Sequence, residues 1–582
     1  MPENKSQHKP SLSSGMVFII PGVIGIFALF FKHAVGPYWL SLNNDPSYIY
    51  LLNALYLVGG ISPIFIQHPG ITLQLLMAGL IKLFNFSAPT PAILEHVFSN
   101  PEYYLNTTYF VLLSIYFVSL AAAGYYIFKR TKNILASLMI QSSAFLFLTM
   151  PAYDGYDYVL TIIANVNAET LLISLSNFYV IGLLKLYFDE TKQKSVSSAL
   201  WLGVICALGI MTKLAFLPLL LAAWFLLPDS KSRCIFIFTF LVLSFLLSLP
   251  ISPRYGQIYH WIKGLIVYDG VHGSGNADFI NPKYYMHALG VLIKNNWYIF
   301  ALSLSAVFIA IYYRMIGRKQ RQSFAQVKRT GRFLFIVAAA VVIQFLMVAK
   351  QPSTRYLVAA VAMSGLLLFL LYEFFRAKGH KINSGVVGFL LVFMSVNSVF
   401  AYQYKKKLSA VNQEAYDFSR KVFAKYKDCI ICPYYRSSSI PFALEFADDC
   451  SGFKGYAKIL KEKYPAAFFY HFWGGYFHDF TDVVPLKELM KSNPCVLLYG
   501  QPYQKFPNKF LKLQQLEWSP NEAVYKVLAT TADEAVAVYL LAKKAELQKK
   551  YKEAYILALQ AQALGFPRLD EYIAQLKSRI HK

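Results

Sequence analysis

Residues 198–251 read SALWLGVICALGIMTKLAFLPLLLAAWFLLPDSKSRCIFIFTFLVLSFLLSLPI. Three apolar blocks, about 198–212, 214–228 and 233–251, are broken only by Lys213 and by the charged turn from Asp229 to Arg233. At 1.5 Å per helical residue, roughly 20 apolar residues cover about 30 Å of hydrocarbon. The stretch therefore reads as helices in a bilayer. Working outward, similar blocks predict spans at about 15–32, 108–128, 134–150 and 168–187 before it. Four more follow, at about 296–314, 333–349, 356–375 and 384–402, giving about eleven in all. Composition agrees: 56% of the 582 residues are hydrophobic and 15% charged, against about 25% charged in a soluble chain. Mean hydropathy is +0.41, and soluble cores stop growing near 250–300 residues.

The formal net charge of +25 would suit a nucleic-acid partner if it lay on one face. Instead the basic residues sit in short connections between apolar blocks, at Lys129–Lys132, Lys231–Arg233, Arg314–Arg332 and Arg376–Lys378. This is the positive-inside signature of cytoplasmic loops, and it argues against nucleic acid. With residues 1–14 as a cytoplasmic tail, the inside connections carry about nineteen Lys or Arg, whereas 33–107 carries only Lys82. No small-residue cleavage site follows the first block, which reads as a retained span. Residues 70–86 are apolar, but counting them as a span would invert every later loop. They read as a helix at the outer interface or re-entering it. Eleven spans make 33–107 a long external loop and leave residues 403–582 outside, as in a multi-pass protein of a cell's inner (plasma) membrane with a periplasmic or extracellular C-terminal domain.

In that domain, residues 403–530 mix strand-like runs (CIICPYY, CVLLYG) with helical ones, and predict a small α/β domain. Residues 531–582 predict a tetratricopeptide-like helical hairpin, two helices over 533–579 broken around Gly565-Phe566-Pro567. Cys206 and Cys234 lie in or beside spans and read as apolar fillers. Cys429, Cys432, Cys450 and Cys495 allow disulfides whose pairing spacing alone does not give. The Cys429-x-x-Cys432 pair lacks the second pair that a zinc ribbon supplies.

Ionisable residues beside spans are costly and tend to be functional. Asp45, in NNDPSYIY, precedes a helical run, where capping alone would also explain it. Asp154 and Asp157 in PAYDGYDY, and Glu169 in NVNAETLL, form a second acidic set without a nearby Lys or Arg in sequence. Glu169 opens a span, so it needs a partner or a reactive role. The cations are Lys213, between two spans, and Arg355 in KQPSTRYLV, with Lys350, Arg254 and His68 at similar depth. His272 lies in a glycine-rich segment, HGSG, suited to a binding loop. Carboxylates and cations on one outer face suit a substrate carrying a lipid-linked phosphate, with cations on the leaving group and a carboxylate as base.

This order of features over residues 15–400 resembles the GT-C superfamily of membrane glycosyltransferases. The nearest likeness is to the bacterial relatives of protein O-mannosyltransferases and aminoarabinose transferases. The resemblance implies that Asp45 is the essential acid of the first external loop, although Pro46 stands where a second acid is usual. It implies that Glu169, with Asp154 and Asp157 as competitors, is the acid of the second loop. Thr212-Lys213 and Arg355-Tyr356 match the family's donor-phosphate positions, and His68-Pro69-Gly70 stands where many members have Lys-Pro-Pro. The implied activity is inverting transfer of a sugar from a polyprenyl-phosphate donor to an extracytoplasmic glycan, lipid or protein hydroxyl, in contact with membrane lipid. Asp45 would take the acceptor proton, while Lys213, Arg355 and Tyr356, helped by His68, hold the phosphate. Glu169 would orient the acceptor or share a divalent cation, Mg or Mn, with Asp45. The alternatives are a flippase for lipid-linked glycan, against which the lack of paired internal repeats counts, and an O-antigen-type ligase or polymerase.

Overall fold

The structure is a computed structural model that describes residues 15–40, 47–66, 70–148, 150, 162–188, 192–269, 275–316, 324–380, 382–434, 438–450, 454–472, 475–502, 511–530, 533–566 and 569–580. The described residues divide into two compact units, one from parts of 1–33 and 53–406, the other from parts of 34–52 and 407–582.

The first unit is helical. Its helices are α1 (Ile19–Val35), α2 (Ser47–Val58, begun in the other unit), α3 (Ile71–Phe84), α4 (Thr90–Ser99), α5 (Pro101–Thr131), α6 (Ile134–Leu146), α7 (Ala168–Phe188) and α8 (Lys192–Thr212). They continue with α9 (Leu217–Leu226), α10 (Ser230–Ser248), α11 (Tyr255–Val267), α12 (Pro282–Asn295), α13 (Trp297–Ile316), α14 (Phe324–Ala349), α15 (Val358–Ala377) and α16 (Asn383–Lys425). Each expected span coincides with a helix. Among the described residues, however, eight helices are long and apolar enough to cross a membrane, or nine if the pair α12 and α13, bent by 95°, is one span. The segments Ile134–Leu146 and Leu214–Leu226 are apolar but short; at 1.5 Å per residue they reach about 20 Å. α3 likewise reaches about 21 Å, less than a bilayer core. The expected external stretch 252–295 is largely helical, since α10 runs through a 3-10 segment, Leu249–Arg254, into α11, and α12 follows.

The helices contact one another through small residues and buried polar ties, as a medium without water requires. Gly365 on α15 stands so close to α6 that a Cβ there would lie 2.3 Å from the Ile140 carbonyl oxygen. Gln141, fully buried, donates from Nε2 to the carbonyls of Val17 at 2.9 Å and Leu120 at 3.1 Å. α10 and the first part of α16 are apolar and mostly exposed, which marks them as lipid-facing.

In the second unit, α16 runs on well past residue 402, where the sequence had suggested its end. The start of the first loop packs on this part: Asn412 Nδ2 donates to the Ala34 carbonyl at 3.0 Å, and the Trp39 and Tyr416 rings lie 5.8 Å apart. Beyond come β1 (Ile430–Pro433), α17 (Ile440–Cys450), α18 (Ala457–Lys463), β2 (Phe469–His471), β3 (Tyr476–His478), α19 (Leu486–Ser492), β4 (Val496–Gly500), β5 (Leu511–Trp518) and β6 (Ala523–Thr530). The sheet order is β1-β4-β6-β5, with β1 parallel to β4 and the other pairs antiparallel, while β2 and β3 form a separate hairpin. Alternation along β4 and β6 sends Val496, Leu498, Tyr525 and Val527 to one core and Leu497, Tyr499 and Val524 to another. This two-sided burial explains why CVLLYG is apolar throughout.

Three helices end the chain, α20 (Asp533–Leu547), α21 (Tyr551–Ala563) and α22 (Asp570–Ile580), where two were expected. The sequence reading missed the first break, at Lys549, whose φ of 59° is left-handed. The second break falls at Gly565, φ 90°, in the expected Gly565-Phe566-Pro567 segment.

A disulfide joins Cys429 to Cys495, across the starts of β1 and β4, and Cys432 is buried and free. The C-x-x-C is thus split between a staple and the core, and holds no zinc pair. With the cysteines 66 positions apart, chain-entropy reasoning gives the bridge about 4 kcal/mol. Cys429→Ser with Cys495→Ser should lower the melting temperature of this unit markedly in a two-probe melt. An unchanged melting temperature would mean that the staple adds nothing to the sheet.

α17 and the β2–β3 hairpin gather a polar cluster. His478 Nε2 lies 3.7 Å from Glu445 Oε1, His471 Nε2 is 3.6 Å from Asp449 Oδ2, and Lys454 Nζ is 3.7 Å from Asp449 Oδ1. Burial pushes the His478 imidazole down to about 3 and raises the Glu445 carboxyl well above its usual range. Burial acts to raise Asp449 too, but His471 and Lys454 hold it down to about 2. A histidine kept neutral when folded stabilises above its unfolded pKa, near 6.5. That contribution fades as the pH falls from there toward 3, because the unfolded chain then takes up the proton first. Acid unfolding of this unit should therefore begin below pH 6.5, and His478→Phe should flatten that limb; an identical limb in the variant would refute the assignment.

Candidate active site

The described site residues converge within the helical unit. Glu169 stands in the first turn of α7, where the helix dipole favours a carboxylate. That end is fixed by Asn167, whose Oδ1 accepts from the Thr170 amide at 2.9 Å in the manner of an N-cap, and by Thr170 Oγ1, which donates to the Ile162 carbonyl at 2.7 Å.

Lys213 sits where the chain leaves α8. Its backbone is extended (φ −162°, ψ 131°), and the 3-10 turn Leu214–Phe216 follows. Its amide donates to the Gly209 carbonyl at 2.8 Å, and its carbonyl accepts from Phe216 at 3.1 Å. Gly209 is required by contact: a Cβ there would stand 2.6 Å from the Phe216 ring. The segment after His68 docks on the same turn, through Gly70 N to the Thr212 carbonyl at 3.3 Å and Thr72 Oγ1 to the Leu208 carbonyl at 3.2 Å. Arg355 and Tyr356 lie on a second 3-10 turn, Thr354–Leu357, just before α15.

These turns bring the charges together. Lys213 Nζ hydrogen-bonds Glu169 Oε1, both side chains being 2% exposed. Arg355 Nε lies 3.8 Å from the same oxygen, with its side chain 18% exposed. The Tyr356 ring faces both cations, with Lys213 Nζ 4.5 Å and the Arg355 guanidinium carbon 5.3 Å from its centroid. An ammonium has three N–H donors; among the described residues, that of Lys213 gives one to Glu169 and makes no other hydrogen bond.

Two cations on one carboxylate, with a tyrosine ring against both, leave a net positive charge among apolar helices, which suits an anion. Repulsion from Lys213 and Arg355 opposes a divalent cation on Glu169. Asp45, His68, Asp154, Asp157 and His272 lie outside the described residues.

Sequence reasoning paired Glu169 with the acceptor and Lys213 with the donor, and did not join them, because they stand 44 residues apart. It also passed over the buried amides. Asn53 Oδ1 accepts from the amides of Ile64 at 2.7 Å and Phe65 at 2.9 Å, and Gln74 Nε2 donates to the Phe65 carbonyl at 2.8 Å. Their signal was an amide within an apolar run.

No protein-family model and no curated protein matches the sequence. In structure, the chain is similar to ArnT from Cupriavidus metallidurans bound to undecaprenyl phosphate, at 10% identity and a TM-score of 0.44 over 87% of this chain and 97% of that one. The likeness to the same protein in its apo state has 11% identity and a TM-score of 0.46 over the same shares.

Proposed function

We propose that this chain is a membrane glycosyltransferase of the GT-C type that moves a sugar from a polyprenyl-phosphate donor to an extracytoplasmic hydroxyl. The observation that carries the proposal is the enclosed cluster of Glu169, Lys213, Arg355 and Tyr356. Charges in such a place are expensive and are kept for a polar ligand, and a lysine with donors to spare suits a phosphate.

In the reaction, an acceptor oxygen attacks the anomeric carbon as the bond from that carbon to the phosphate oxygen breaks, inverting the centre. The acceptor proton passes to Asp45, and the electron pair leaves on polyprenyl phosphate. Lys213 and Arg355 stabilise the charge gathering on that phosphate. Glu169 holds the Lys213 ammonium in place, and Tyr356 supplies a face that keeps both cations oriented. The Cys429–Cys495 bridge suits an oxidising compartment, which supports placing the C-terminal unit outside. That unit would present or position the acceptor.

The test is turnover of a panel of synthetic polyprenyl-phosphate sugars by the purified protein, wild type against Asp45→Asn. Wild type should release polyprenyl phosphate, and the variant should lose about 10²–10⁴-fold, the usual worth of a general base, while melting normally. Near-normal transfer by the variant would remove Asp45 from the mechanism. Lipid flipping without turnover would replace the enzyme by a transporter.

A further inference from the structure

Gln344, on α14, is fully buried, and its hydrogen bonds go to backbone rather than to the charged side chains of the site. Its Nε2 donates to two backbone carbonyls, Ala215 at 3.0 Å and Tyr356 at 2.7 Å. Ala215 lies two residues beyond Lys213, and Tyr356 follows Arg355. The two carbonyls belong to separate 3-10 turns about 140 residues apart in sequence, and each turn interrupts the regular helical pairing of its own chain. One amide thus satisfies two carbonyls that have no water to turn to, and in doing so ties the turn bearing one cation to the turn bearing the other.

We infer that Gln344 is a positioning residue that sets the spacing of Lys213 and Arg355, so that both reach one phosphate group. The inference rests on the donor reading given above and adds a residue to it. A two-point anion clamp works only at the right separation, and a displacement of about 1 Å can cost about 10²-fold. The tie is rigid because an amide with both donors engaged has a fixed plane. It also acts on the backbone of both turns, which side-chain contacts between Glu169 and the cations do not.

The bundle supplies its own control. Gln141 makes the same pattern of bonds, two donations from Nε2 to backbone carbonyls, and is equally buried, but it joins Val17 to Leu120 and neither cationic turn. Gln344→Leu and Gln141→Leu remove equivalent bonds from one bundle.

The experiment measures turnover of a polyprenyl-phosphate sugar, binding of polyprenyl phosphate alone, and thermal midpoint for both variants in detergent. The expected result is a similar fall in midpoint for both, with donor kcat/KM and polyprenyl-phosphate affinity lowered tenfold or more only in Gln344→Leu, and acceptor KM unchanged. Equal activity losses in the two variants would overturn the inference and leave Gln344 a plain bundle tie. Should Gln344→Leu fail to fold, Gln344→Met decides, with Gln141→Met as its control. The unbranched thioether keeps the length of the side chain and donates nothing. The same selective loss of donor kcat/KM and polyprenyl-phosphate affinity is expected in Gln344→Met; equal losses in the two methionine variants overturn the inference. A wild type that neither turns over nor binds the lipid phosphate would bring down the donor reading, and this inference with it, before any variant is compared.

Discussion

Lys213→Met should lower donor turnover by about 10²–10³-fold, the worth of one electrostatic stabiliser of a leaving group, and should destabilise the helical unit by about 3–5 kcal/mol. The two effects have different causes. Stability falls because Glu169, 1% exposed, loses the nearer of its two cations and is left with Arg355 at 3.8 Å. Turnover falls because the donors aimed at the phosphate are gone. The double variant Glu169→Gln with Lys213→Met separates them. Removing both charges takes away the under-compensated carboxylate, so much of the melting temperature should return, while turnover stays low. Recovery of activity in the double variant would show that Lys213 serves only to neutralise Glu169, and would leave Arg355 alone as the phosphate ligand.

Gly209→Ala should cost about 10²-fold in donor kcat/KM, with about 1–3 kcal/mol of stability. The new methyl would meet the Phe216 ring at 2.6 Å. That ring has nowhere to go: it is fully buried and set edge-on against Tyr179, centroids 5.8 Å apart. Tyr179 is in turn held by its hydroxyl, which donates to the Leu219 carbonyl at 2.6 Å. The strain must therefore pass into the turn, whose other end carries Lys213. A second change that makes room, Phe216→Leu, should restore activity to Gly209→Ala. If the alanine variant were fully active, or if the leucine gave no relief, the turn would not depend on this contact.

Much of this molecule was legible in its order of residues. The apolar blocks gave a helix at every expected span, because length and hydropathy are local properties that a bilayer reads directly. Lys213 and Glu169 stood out for the same reason, as charges where a charge is costly. Other features were hidden by their dependence on distant partners. The break at Lys549 carries no glycine or proline to announce it, and only packing among α20, α21 and α22 makes it worthwhile. The disulfide partner of Cys429 is Cys495 because β1 and β4 run side by side in parallel, a pairing that spacing does not encode. The segments Ile134–Leu146 and Leu214–Leu226 read as spans by hydropathy, yet are shorter than a bilayer core.

At the site the division is the same. The sequence by itself determined which residues bear charge and that they border apolar helices. Tertiary structure alone decided that Lys213 and Arg355 share Glu169, that Tyr356 faces both, and that Gln344 joins their turns. The physical reason is that an ion pair or an amide bridge is a relation across space. Its energy depends on separations of a few ångströms between groups that lie 44 and 129 positions apart, and the pattern of neighbours along the chain carries no record of them.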